Sequence, residues 1–145
     1  MDYKTRIANE NIKWRDKLKD MTEYFAIYQL KVDDKYRDYH FLSTKFLKNY
    51  DLEIQKEESY NLLYASSLMK LVQTINFNSI PDMLDYLFEK FNIDRPSDFL
   101  GHSLSVGDVI VVYDGIEKKS YYVDDFGFTE LMDWEGKNPV TVKKN

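Results

Sequence analysis

The sequence predicts a single α+β domain, a small mixed or mainly antiparallel sheet with packed helices and an N-terminal helix. Apolar residues recur at helical spacing across residues 3–21 and 80–91, so helices are expected there. Runs of β-branched and aromatic residues at 24–32, 60–64 and 109–113 alternate or continue as strands do. Asp114-Gly115 then joins the last of these runs to 120–124, a short-range hairpin signal.

The elements follow in order. Tyr3, Ile7, Trp14, Leu18 and Met21 lie near one helical stripe, with Lys4, Arg6, Glu10, Lys13, Asp16 and Lys17 on the remainder. That stripe must be covered, by the same domain or by a partner. In residues 24–32 both alternating faces are apolar, the pattern of a central strand. Asp33-Asp34-Lys35 reads as a turn, and Ser43 as the cap of a short helix over 44–49 with Phe46 and Leu47 facing inward. Residues 60–64 form a second strand, bounded by Ser59 and Ser66-Ser67. Residues 68–78 fit either period and are read as helix. Ser79 caps the next helix, with Pro81 and Asp82 in its first turn and Ile80, Met83, Leu84, Leu87, Phe88 and Phe91 on its apolar stripe. Beyond Trp134 the tail contains Gly136, Pro139 and Lys143-Lys144 and is expected to be loosely held.

Composition bounds the chemistry. With 145 residues, 43% apolar and 16% aromatic, the chain can bury one core unaided. It has no cysteine, which removes disulfides, thiolate catalysis and cysteine-based metal sites. No apolar stretch approaches the roughly 18 residues of a membrane helix, and the start is charged, so a cytoplasmic protein is expected. A net charge of −5 works against an affinity built on neutralising phosphates, and is too mild for mimicry of DNA.

The most informative block spans residues 91–131, FNIDRPSDFLGHSLSVGDVIVVYDG followed by IEKKSYYVDDFGFTEL. Pro96 holds Arg95 out of helical angles, and Gly101 and Gly107 bracket a polar loop before the strand at Val109. His102, Ser103, Asp98 and Asp108 are the residue types of a nucleophile, base and orienter. A histidine next in sequence to its serine rarely shares productive geometry with it, and no nucleophile elbow surrounds it. The loop is therefore read as structural: Asp98, Gly101, His102, Ser103, Ser105, Gly107 and Asp108 satisfy its backbone and fix the entry into the strand. No catalytic residue, cofactor or metal is expected. Two histidines, with Asp98, Asp108, Asp124 and Asp125, would gather a hard cation only if loop and hairpin converged. The candidate interaction surface is Tyr113, Tyr121, Tyr122, Asp124, Asp125, Phe126 and Phe128. Since strand side chains alternate, at least one of Tyr121 and Tyr122 is expected on an outer face.

The same block resembles the YodL-like domain family of bacterial conjugative elements and phages. A helix ending in Phe91-Asn92 is followed by Pro96, Asp98-Phe99 and the run Gly101-His102-Ser103-Leu104-Ser105, then Asp108 and a valine-rich strand, with Tyr122, Asp124, Gly127 and Phe128 beyond. FAIYQLK and YNLLYASSL are similar to the family's earlier strands, so the likeness covers residues 25–134. The helix before Met21 is additional, and the 68–78 segment is longer than the usual connection. The expected division is an N-terminal helix at 1–22, the YodL-like α+β domain at 23–134 and a tail at 135–145. The resemblance, together with the acidic, aromatic face of the hairpin, points to a mobile-element accessory protein that inhibits a host defence system, of anti-CRISPR or anti-restriction type. Its partner would be a basic host nuclease or its complex, met by protein contact without turnover. A nucleic-acid-binding module using Lys118, Lys119, Lys143 and Lys144, or a hydrolase centred on His102, are the alternatives.

Overall fold

A computed structural model describes residues 1–144. Its elements are α1 (Tyr3–Leu18), β1 (Tyr24–Leu30), α2 (Thr44–Asn49), β2 (Tyr60–Ser66), α3 (Leu68–Thr74), α4 (Ile80–Ile93), β3 (Val109–Tyr113), β4 (Lys118–Val123), β5 (Phe128–Met132) and β6 (Thr141–Val142), with 3-10 turns at Asp34–Tyr39 and Glu57–Ser59. The strands form one sheet of order β2-β1-β3-β4-β5-β6, and every neighbouring pair is antiparallel.

Both faces of the sheet are covered. On one, α4 lays Met83, Leu84, Leu87 and Phe91 over Phe25, Ile27, Ile110, Val112, Tyr121 and Val123. On the other, Trp14, Tyr36, Leu47 and Trp134 meet Tyr28, Leu62, Val109, Val111 and Tyr122. This is why β1 is buried along all of its length. A bulge in β2 at Leu63, opposite Ile27 and Tyr28, breaks the alternation and brings Ala65 to the same core as Leu62. Sequence period and caps explain α4: Ser79 Oγ accepts from the Asp82 amide at 3.3 Å, and Pro81 stands in the first turn. Each fully buried leucine on it contributes about 1.5–3 kcal/mol of transfer free energy, and Leu87, fully buried, is the position where truncation to alanine would weaken it most directly.

The N-terminal helix seals one sheet edge. Helix α1 crosses β2, with Ile7 in one core and Trp14, 4% exposed, in the other. Asn11 Oδ1 accepts the Leu62 amide at 2.7 Å, and Arg15 Nη2 donates to the Tyr60 carbonyl at 3.1 Å. Two backbone groups of an edge strand are thus satisfied by helix side chains, which blunts a template for unwanted pairing.

Four sequence expectations change. The tail does not hang free: Lys56 Nζ donates to the Gly136 and Asn138 carbonyls, Val140 packs on the core, and β6 pairs with β5. Asn145, also part of that expected tail, lies outside the described residues. Phe46 does not face inward; it is exposed and stacks on Tyr50 at 4.4 Å while Leu47 alone enters the core. The third hairpin strand, β5, and the short β6 were not foreseen, because their residues half-face solvent and lack a clear apolar period. The second hairpin strand begins at Lys118, two residues earlier than the apolar run indicates, since Asp114 Oδ1 closes the loop by accepting from the Ile116 and Glu117 amides.

Candidate interaction surface

The 101–108 loop is locked to the sheet from beneath by Gln29, a residue that sequence reasoning passed over. Gln29 is 2% exposed in an otherwise apolar strand. Its Oε1 accepts from the His102 amide at 3.1 Å, and its Nε2 donates to the His102 carbonyl at 2.8 Å and to Asp108 Oδ2 at 3.1 Å. Asp108 Oδ2 also accepts from the Ser105 amide at 2.8 Å. The one signal available beforehand was a lone glutamine inside a central-strand pattern, since a buried amide must find partners.

The remaining loop groups are engaged in the same way. His102 Nδ1 donates to the Ser103 carbonyl at 2.7 Å, which fixes the tautomer, and leaves Nε2 3.9 Å from Asp108 Oδ1. Ser105 Oγ donates to that carbonyl as well. His102 and Ser103 therefore meet through the backbone rather than side chain to side chain. Burial pushes the Asp108 carboxyl well above the usual range, against the Ser105 and Gln29 hydrogen bonds, and burial likewise holds His102 low. Gly107 adopts φ +98°, the left-handed region, where its carbonyl accepts from Tyr60 Oη at 2.7 Å. Asp98 stands exposed on a turn. Among the described residues no cluster of three or more histidines and carboxylates is placed to hold a metal ion.

The hairpin residues divide. Tyr121 and Tyr122 are both buried, which corrects the expectation that one stands on an outer face. Alternation does put them on opposite faces, but each face carries its own core. Tyr122 Oη donates to the Leu42 carbonyl at 2.6 Å, and burial pushes the Tyr121 phenol up to about 12. Asp124 is also committed: its oxygens accept from the Thr44 amide at 3.0 Å, Thr44 Oγ1 at 2.5 Å, Thr129 Oγ1 at 2.6 Å and the Asp125 amide at 3.1 Å. Burial raises its pKa, yet the bonds from Thr129 and Thr44 outweigh this and leave it lowered. Tyr113 and Phe128 are half-buried, against Tyr24 and Phe88. Asp125 and Phe126 are the exposed pair, with Phe126 97% exposed.

Asp124 does more than stabilise a turn, because Thr44 is the first residue of α2. The bond between them sets the β4–β5 turn, which carries exposed Phe126, beside the start of α2, the helix that carries exposed Phe46 and ends at exposed Tyr50. Phe41, also exposed at φ +64°, lies on the segment entering α2, and its ring is 5.9 Å from that of His102. Phe41, Phe46 and Tyr50 were absent from the sequence-derived surface, since no local pattern tells an exposed aromatic from a core one.

Lys118, Lys119 and Lys143 pair with Glu135, Glu117 and Glu130 at 3.2, 3.9 and 3.5 Å, so acidic partners balance the basic positions of the hairpin. No helix among the described residues is long and apolar enough to cross a membrane.

Fold and surface define an α+β domain built on one open antiparallel sheet, with exposed aromatic residues on the β4–β5 turn and on α2. The YodL-like domain family matches residues 24–134, three-quarters of the chain, and the protein belongs to that family. No curated protein and no solved structure matches the chain.

Proposed function

We propose that the protein is a non-enzymatic accessory factor of a mobile genetic element that binds and inhibits a host defence nuclease, of restriction or CRISPR type, by protein contact. The observation that carries the binding role is the exposed aromatic surface of Phe126, Phe46 and Tyr50 with Asp125, held by a buried framework. Exposed aromatic anchors on a rigid scaffold are the residues that dominate protein interfaces. The acidic Asp125 suits a basic surface of the kind nucleases use to hold nucleic acid. The mobile-element setting rests on the family resemblance. The internal use of Gln29, His102 and Asp108 supports a scaffolding part for the motif loop.

The test is plasmid transformation into cells with an active restriction or CRISPR system, with the protein expressed or absent. Expression is expected to restore transformation, and a Phe46→Ser, Phe126→Ser variant to lose the effect while keeping its thermal midpoint. Unchanged interference across both types of system would sink the counter-defence role. Full protection by the variant would show that another surface makes the contact.

A further inference from the structure

A groove of about 810 Å³ lies between α2, the segment after it and the C-terminal strand β6. Its apolar lining comes from Leu47, Leu52, Ile54, Pro139, Val140 and Val142. Exposed Lys45, Lys48, Lys137 and Lys144 surround that lining, against a single acidic residue, Glu53. In a chain of net charge −5 this is a local reversal of sign. Lys56 is the exception among the groove's lysines, spent on the Gly136 and Asn138 carbonyls, where it fixes one wall. No ion pair engages Lys45, Lys48 or Lys137 among the described residues, unlike the paired lysines of the neighbouring hairpin.

The strand edge supplies the second observation. Successive strand side chains point to opposite faces, and the groove is lined by both Thr141 and Val142, so it runs along β6. β5 takes the inner edge, with Leu131 opposite Val142 and Met132 opposite Thr141. The outer edge is the end of the sheet. At the far end of the sheet, α1 covers the corresponding edge with Asn11 and Arg15. The two edges are thus treated differently, one sealed by a helix and the other lying along an apolar, lysine-rimmed groove.

We infer that this groove binds an extended acidic segment of a protein partner, which adds beside β6 as a further strand. Its backbone would pair with the open edge, alternate apolar side chains would fill the space over Leu47, Leu52 and Val140, and intervening carboxylates would meet the lysines. A single-stranded nucleic acid is the weaker fit, because no aromatic side chain lines the groove to stack a base. The surface excludes Phe46 and Phe126, so it stands whether or not the contact proposed above is correct.

The probes are a labelled octapeptide of alternating glutamate and valine, the same peptide with lysine for glutamate, and an oligothymidine of matched length. Amide shifts map the site and fluorescence anisotropy at low salt reads affinity. The glutamate peptide is expected to move the amides of Leu47, Leu52, Thr141 and Val142 and to bind more tightly than the other two. Lys45→Glu, Lys48→Glu, Lys137→Glu, all at exposed positions, should weaken it on the order of tenfold with an unchanged thermal midpoint. The inference is overturned if the glutamate peptide shifts no groove amide, if the lysine peptide or the charge-reversed variant binds equally well, or if oligothymidine binds the groove more tightly.

Discussion

Replacing Gly101 with alanine tests whether the motif loop is positioned by its contact with β1. The φ of Gly101 is not positive, so the backbone itself accepts a side chain there. The obstacle is space: a Cβ would press into Gln29 Oε1 and stand 2.8 Å from Phe99 Cζ and 3.0 Å from Leu63 Cδ1. Phe99 and Leu63 belong to a packed core, so the residue with most freedom to yield is Gln29. Its movement would weaken the bonds to the His102 amide, the His102 carbonyl and Asp108. Overpacking costs about 1–3 kcal/mol, and each hydrogen bond contributes about 1 kcal/mol. Reduced chain entropy in the unfolded state returns about 0.4–1 kcal/mol. The expected net loss is about 3 kcal/mol, or roughly 9 °C at about 3 °C per kcal/mol for a chain of this size. Urea denaturation measures it. In a Gln29→Ala background the same substitution should cost at least about 1 kcal/mol less, because the most crowded atom is gone. Gly127→Ala is the control: nothing lies within 4 Å, and only its φ of +73° opposes the change. A loss under about 0.5 kcal/mol for Gly101→Ala, the scatter of ordinary surface changes, or strict additivity with Gln29→Ala, would refute the reasoning.

Three further outcomes follow from the same geometry. Asn11→Ala removes the acceptor of the Leu62 amide and should cost about 1–2 kcal/mol, with faster hydrogen exchange at Leu62 read by NMR. Tyr122→Phe, losing the bond to the Leu42 carbonyl, should destabilise by about 1 kcal/mol, while Phe126→Ser should stay within about 0.5 kcal/mol; parallel urea melts separate buried from exposed aromatics. The folded-state pKa of Asp108 is raised, so its contribution to stability is fully present below the unfolded value of about 3.9 and is lost as pH rises through the folded value. Asp108→Asn retains an oxygen for the Ser105 and Gln29 donors and carries no charge, so it should gain stability relative to the parent between pH 4 and pH 7, measured as the difference in urea midpoints. His102, held low, works in the other sense, losing stability as pH falls below its unfolded value near 6.5, and its Nε2 lies 3.9 Å from Asp108 Oδ1, so the comparison is made in a His102→Asn background, where that titration is absent from both chains.

Local rules were sufficient wherever neighbours in sequence decide the conformation. The caps at Ser43 and Ser79, the apolar stripe of α4 and the two-faced burial of β1 are all consequences of period and nearby hydrogen bonds. Even the ambiguous stretch after β2 folds as α3, where Ser67 supplies a cap to the Lys70 amide. Placement of the hairpin tyrosines required more. Alternation separates Tyr121 from Tyr122, but whether a face meets water depends on α1, α2 and Trp134, which arrive from distant parts of the chain. Asp124 gave a surface reading for the same reason, since Thr44 is its neighbour only in space.

By itself, the sequence determined an α+β domain, its main helices and strands, a glycine-bracketed loop and membership in the YodL-like family. Tertiary structure alone decided which aromatics are exposed, that Gln29 fastens the loop, that the tail adds the last strand of the sheet and that lysines gather over an apolar groove. The division is physical: periodicity and capping act over a few residues, whereas burial, edge pairing and charge clustering depend on contacts between segments some eighty positions apart, such as Thr44 with Asp124.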